Sequence, residues 1–140
     1  PSAVLALKAT VHTNSRSIAA DDFFTGMFET ALEEDEIIES ISFSKPTKAN
    51  YVKFPNPASR YAMVGVFVAQ FGDEVRVAVT GAGEGGVFRH QEMESVLSSN
   101  FSADSLSSVN IDSDGLISDL HASAEYRANL IKEMTKRAVV

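Results

Sequence analysis

The sequence contains no cysteine. Disulfides, zinc–thiolate sites, cysteine-held iron–sulfur clusters and thiol nucleophiles are therefore excluded within these residues. The same absence fits a cytoplasmic protein. Positive charge is scarce: 12 Lys and Arg stand against 19 Asp and Glu, a formal net charge of −7. Nucleic acid is a poor partner for such a chain, because phosphate binding needs concentrated Lys and Arg. The tightest basic group, Lys132, Lys136 and Arg137, closes a predicted helix, where positive charge suits the helix dipole. No apolar run approaches a membrane span, and no signal-peptide pattern is visible. The chain opens on Pro1 without a methionine, so the expectation is a processed protein or an excerpt of a longer one.

Catalytic signatures are equally sparse. The three histidines, His12, His90 and His121, lack H-x-x-x-H spacing, and no serine stands in G-x-S-x-G. The carboxylates of 33–36 are adjacent in a turn and read as solvated. What remains is ordinary for a globular domain: 44% hydrophobic and 22% charged residues in 140. That length fits one domain with a core of its own, perhaps with a short extra arm.

Residues 3–18 read as two short extended strands broken at Asn14-Ser15, with no obvious local partner. Asp21 or Asp22 is positioned to cap a short helix. Alternation from Ile37 through Glu39, Ile41 and Phe43 marks a strand that Pro46 ends. A second strand, 49–54, stops at Pro55-Asn56-Pro57. Residues 62–71 are nearly all apolar and rich in Val and Phe, as in a central strand. A tight turn at Gly72-Asp73 leads to a fourth strand with Val75, Val77 and Val79 in alternation. Short connections favour antiparallel pairing. Helical spacing follows at 89–97 and, with Tyr126, Leu130, Ile131 and Met134 as its apolar stripe, at 122–138. Strands followed by helices predict an α+β fold: an antiparallel sheet of about four strands with helices packed on one face.

Two motifs invite a ligand. Gly81, Gly83 and Gly86 match G-x-G-x-x-G after a strand, as in dinucleotide-binding folds. The strand before them closes an antiparallel meander, however, and Glu84 would set a negative charge beside phosphate. A glycine-rich turn is the plainer reading. Asn110, Asp112, Asp114 and Gly115 mimic half of a calcium loop, but position twelve is His121 rather than a bidentate Glu. A solvated turn suffices there too.

Five phrases in order carry a resemblance. Asp22-Phe23-Phe24-Thr25-Gly26, continuing to Thr30-Ala31-Leu32, resembles a D-F-F-x-G-x-x-x-T-x-L stretch, with Asp35-Glu36-Ile37-Ile38 behind it. Tyr51-Val52-Lys53-Phe54 matches Y-x-K-F. Ser59-Arg60-Tyr61-Ala62-Met63-Val64-Gly65-Val66 matches x-x-[DR]-Y-A-x-V-G-V. Ser123-Ala124-Glu125-Tyr126-Arg127, with Arg137-Ala138, matches the closing S-A-x-Y-R … R-A helix. Together they resemble the C-terminal domain of the FAD-binding medium subunit of the molybdenum hydroxylases, the carbon monoxide dehydrogenase and xanthine dehydrogenase family. Asn56 to Tyr61 and Val79 to Gly83 look nearest to carbon monoxide dehydrogenase-like chains, although many relatives have an acidic residue where Arg60 stands.

The resemblance implies an oxidoreductase in which electrons pass from molybdenum through 2Fe–2S clusters to FAD. It implies three partners: a molybdopterin large subunit, a 2Fe–2S small subunit, and an N-terminal FAD-binding domain that holds the cofactor's pyrophosphate. By the same resemblance, residues 1–20 are the tail of that flavin-binding region and residues 21–140 the C-terminal domain. Carried over one by one, Lys53 matches a lysine that reaches the flavin. Ile38 matches a position whose backbone contacts the ring, and Tyr51 an aromatic beside it. Plain packing for Ile38 and Tyr51, and a solvent-facing lysine at 53, are the structural alternatives. The 140 residues alone are expected to be inactive. Two rival functions stay open: a subunit-docking module without flavin contact, and a free-standing nucleotide binder using Gly81–Gly86.

Overall fold

A computed structural model describes residues 1–139. Its centre is a four-stranded antiparallel sheet, and the longest strands follow from the longest β-branched runs. The elements run in the order α1 (Ser2–Ala6), β1 (Thr10–Thr13), β2 (Ser17–Ala19), α2 (Ala20–Phe23), β3 (Phe24–Gly26), β4 (Glu29–Thr30) and β5 (Ile38–Ser42). They continue with β6 (Lys48–Pro55), β7 (Ala62–Phe71), β8 (Glu74–Gly83), β9 (Gly86–Arg89) and α3 (Gln91–Ser99). A 3-10 helix, Ala103–Ser108, precedes α4 (Ala124–Ala138). The main sheet has the order β6-β7-β8-β9, every neighbour antiparallel. A three-stranded sheet, β2-β1-β5, and the small β3–β4 hairpin lie outside it.

One face of the main sheet carries the core. Val64, Val66, Val75, Val77 and Val79 are buried against Met93 and Leu97 of α3 and Ile131 and Met134 of α4. Each such side chain contributes roughly 1.5–3 kcal/mol by leaving water. The helices start where the sequence supplies caps. The Ser123 hydroxyl accepts from the Tyr126 N–H at 3.2 Å, and His90 Nδ1 accepts from the Met93 N–H at 3.3 Å. The opposite face is covered only in part. There α1 buries Leu5 and Ala6 against Ala69 and Ala78.

The α+β architecture with helices over one sheet face is as predicted, but strand membership differs. Residues 2–6 are helical rather than extended. The strand at Ile38–Ser42 joins β1, not the main sheet, with Val11 opposite Ile41. β1 and β2 have a local partner after all, since they pair with each other, Val11 opposite Ile18, and β5 adds a third strand beside β1. The fourth strand of the main sheet is instead β9. It was hidden because Glu84-Gly85 turns the chain between paired Gly83 and Gly86, and glycines interrupt the apolar alternation. Asp21 caps nothing; it forms ion pairs with Arg76 and Arg89. Arg89 also reaches Glu94 at 2.7 Å, so these four charges tie α2 to β8, β9 and α3. Among the described residues, no helix is long and apolar enough to cross a membrane.

Candidate functional site: an uncovered floor on the main sheet

Side chains alternate along β6. Val52 and Phe54 turn toward the helices, whereas Tyr51 and Lys53 stand on the opposite face. The part of that face near α1 is covered; the part around Tyr51 and Lys53 is open. Lys53 is paired directly with Gly65 on β7, and Gly65 with Thr80 on β8. These three residues form one cross-strand row.

Gly65 makes the floor flat. A Cβ at that position would lie 2.4 Å from the Tyr51 hydroxyl and 3.0 Å from Thr80 Cγ2. The missing side chain lets the phenol lean across the row. Its ring also lies 6.3 Å from that of Phe67, at a tilt of 34°. Tyr51 keeps 42% of its surface exposed, and its partial burial pushes the phenol's pKa up.

Lys53 Nζ donates to the Arg60 carbonyl at 3.0 Å. That carbonyl belongs to a turn closed by its own bonds. The Asn56 N–H donates to the Tyr61 carbonyl at 2.7 Å, and Asn56 Oδ1 accepts from the Ala58 N–H at 2.9 Å. Arg60 adopts a left-handed φ of 64° within it. The lysine is thus anchored at the rim of the floor while remaining exposed.

Where Thr80 ends the row, the floor meets a cleft of about 450 Å³. The β3–β4 hairpin supplies one wall, apolar at Phe24, Met27 and Phe28 and polar at Glu29 and Thr30; Gly81, Val87 and Ile117 are among the residues opposite. Gly81 takes a left-handed φ of 81° just past the last β7–β8 pair and packs close to the start of β7, where a Cβ would sit 2.3 Å from the Ala62 carbonyl oxygen. Arg127 secures this approach from the helix side. Only 3% exposed, it donates through Nη1 to the Met63 carbonyl at 2.7 Å and the Gly81 carbonyl at 3.1 Å. Its Nη2 donates to Asp119 at 2.8 Å.

Of the three residues singled out from the sequence, the fold brings together Tyr51 and Lys53. Ile38 is 40% exposed on β5, opposite Thr13, and belongs to the other sheet. Sequence reading passed over Gly65 and Thr80. The available signal was a lone glycine inside an apolar strand, which often marks a close approach. The Gly81–Gly86 segment makes the β8–β9 hairpin and leads into a strand, not a helix. At the other loop, Asp112 Oδ1 accepts from the Asp114 N–H at 3.0 Å, a local turn. Among the described residues no cluster of His, Asp and Glu is disposed to hold a metal ion.

No family model matches the chain. The nicotine 6-hydroxylase medium subunit of Paenarthrobacter nicotinovorans is 35% identical over 154 aligned positions, covering 100% of this chain and 54% of that protein. Reconstituted CO dehydrogenase from Oligotropha carboxidovorans superposes with a TM-score of 0.79 at 23% identity, over 99% of this chain and 54% of its own. Quinoline 2-oxidoreductase from Pseudomonas putida 86 gives 0.76 at 23% identity, over 97% and 52%. At that identity the two structures speak for the fold alone. The chain spans about half the length of the curated relative it matches. The chain therefore belongs to the family of medium, FAD-carrying subunits of the molybdenum hydroxylases, as a C-terminal domain of that subunit.

Proposed function

We propose that this domain closes over the isoalloxazine end of FAD, whose pyrophosphate is gripped by the other half of the medium subunit. The observation that carries the reading is exposed Lys53 beside Tyr51, whose half-exposed phenol lies over the buried Gly65. The phenol takes the space a Gly65 side chain would fill, and the aromatic surface it presents matches a flat heterocycle. When bound, FAD supplies the redox chemistry that passes electrons to an external acceptor. Lys53 contributes a fixed cation at the edge of the floor, suited to the negative charge that the reduced ring carries near N1 and C2=O. Tyr51 contributes an aromatic surface and excludes water from one side. The Ile38 backbone would touch the ring from the separate sheet.

In this reading, residues 1–20 are the trailing part of the flavin-binding region, docked here through α1 and the β1–β5 pairing. The large molybdopterin subunit and the 2Fe–2S subunit complete the enzyme, which works in the cytoplasm. Electrons run from molybdenum through the clusters to FAD. The substrate is carbon monoxide or a related molecule; the relatives' own names span carbon monoxide, nicotine and quinoline. No residue of the floor is assigned to that substrate. The isolated domain has no activity and little FAD affinity, since it holds no pyrophosphate grip.

One observation favours the docking reading as a second role. Phe28, Tyr61 and Leu120 are almost fully exposed. Fluorescence titration with FAD, run on this chain and on the complete subunit, tests the primary reading. Tight binding by the complete subunit and none by the chain alone is expected. Tight binding by these 140 residues would contradict it and return the glycine hairpin to consideration.

A further inference from the structure

A lysine ends in a point charge on a flexible four-carbon stem, so a fixed ammonium needs an anchor. For Lys53 the anchor is the Arg60 carbonyl, 3.0 Å from Nζ. Arg60 lies in the loop 56–61, between Pro55 of β6 and its partner Ala62 of β7. Pro57 brings no N–H to that loop. The N–H groups of Ala58 and Ser59 both donate to Asn56 Oδ1, at 2.9 and 3.2 Å. The Arg60 N–H donates to the Asn56 carbonyl at 2.9 Å, and the Asn56 N–H donates to the Tyr61 carbonyl at 2.7 Å. Asn56 is thus bonded to every residue from Ala58 to Tyr61, on both sides of the Arg60 carbonyl. Arg60 needs that support. Its φ of 64° is left-handed, which is uncommon for a residue with a Cβ and persists where the surroundings over-determine it. Residues 57–61 are exposed, so packing does not supply the constraint; the bonds to partly buried Asn56 do.

We infer that Asn56 is a positioning residue for the flavin: its side chain fixes the turn that fixes Lys53. The inference rests on the flavin reading given above. Without the Oδ1 acceptor, the Ala58 and Ser59 N–H groups turn to water, Arg60 leaves its left-handed conformation, and its carbonyl no longer holds the ammonium. A cation spread over many positions stabilises the reduced ring less than a fixed one. Serine at 56 accepts the same kind of bond more weakly.

The test uses the FAD-loaded complete enzyme with Asn56→Ala, Asn56→Ser, Lys53→Met and the double variant Lys53→Met/Asn56→Ala, each assayed for FAD content and midpoint potential. The flanking strands are paired from Lys48 opposite Gln70 through Phe54 opposite Val64, so the variants should fold and load FAD. Asn56→Ala is expected to lower the potential by part of the Lys53→Met shift, with Asn56→Ser between the alanine variant and the parent. In the double variant the alanine should add nothing, because its effect passes through the lysine. If Lys53→Met lowers the potential while Asn56→Ala leaves it parental, the positioning role is overturned and the flavin site stands. An alanine shift that persists undiminished in the Lys53→Met background would show that Asn56 acts by another route and would overturn the inference. If Lys53→Met itself leaves the potential parental, the flavin reading fails and takes Asn56 with it.

Discussion

The ammonium of Lys53 lies 3.0 Å from the carbonyl oxygen of Arg60, seven residues further along the chain. A strand lysine and the turn after that strand are thereby one unit. The turn carries its own closing bonds, so it can hold the lysine at the rim of the open floor without drawing it into the sheet. Position of the cation is set by backbone, not by an acidic side chain that would cancel its charge. A neutral anchor of this kind leaves the positive charge available to a ligand.

Gly65→Val tests how far the floor depends on one missing side chain. The new branches would meet the Tyr51 hydroxyl and the Thr80 methyl within contact distance. Displacing the phenol should cost about 1–3 kcal/mol, the usual range for overpacking. Urea unfolding of this domain would show it as a lower midpoint with an unchanged slope. Paired with Tyr51→Ala, which clears the space, the same substitution should cost much less.

Arg127→Met removes three hydrogen bonds at once and leaves the carbonyls of Met63 and Gly81 without that donor. Roughly 1–3 kcal/mol per buried group left unpaired is the expected scale. Asp119 is partly exposed and can be rehydrated, so its share is small. Lysine at 127 should recover little, because a point charge cannot serve two carbonyls and a carboxylate in one plane. Thermal unfolding of both variants checks the ordering.

Acid should progressively remove the stability that Glu36 gives the β1–β2 turn. Glu36 accepts from Arg16, from the Glu33 N–H, and from the Ser15 and Thr13 hydroxyls. The Arg16 guanidinium leads these in holding its carboxyl well below the usual carboxylate range. A depressed folded pKa gives stability that is present above the ordinary value of 4.5 and lost as pH falls toward the folded one. Glu36→Gln should therefore destabilise at pH 7 and converge on the parent at low pH. Urea midpoints between pH 7 and pH 2 measure this.

A second pH effect works nearer neutrality. Burial lowers the pKa of His90 below its ordinary 6.5. Its Nδ1 accepts the Met93 N–H that starts α3, which requires the unprotonated nitrogen. The unfolded chain binds this proton more readily than the folded one, so stability declines as pH drops below 6.5 through the folded value. His90→Asn keeps an acceptor at the cap and should flatten that part of the stability–pH curve.

The fold was legible wherever patterning was local. The apolar run at 62–71 and the valine alternation after Gly72 located the two central strands, and the spacing from Tyr126 to Met134 located α4. Partner choice was not legible. The alternation of Ile37, Ile41 and Phe43 suits either sheet equally well, and only the fold reveals that β5 pairs with β1, some thirty residues earlier. β9 was concealed by the glycines that make its turn. At the site, Tyr51 and Lys53 came from a family phrase, and their i, i+2 spacing put them on one face. Gly65 and Thr80 reach that face from other strands, so no local spacing could link them to it.

The central claim is that Lys53 faces the flavin, and the most direct measurement is the FAD midpoint potential of the complete enzyme carrying Lys53→Met beside Lys53→Arg. A cation near the reduced ring stabilises it, so the methionine variant should have a more negative potential and the arginine variant one near the parent. A parental potential in the methionine variant, with FAD fully loaded and the subunits assembled, would contradict the account and leave Lys53 a solvent-facing strand residue.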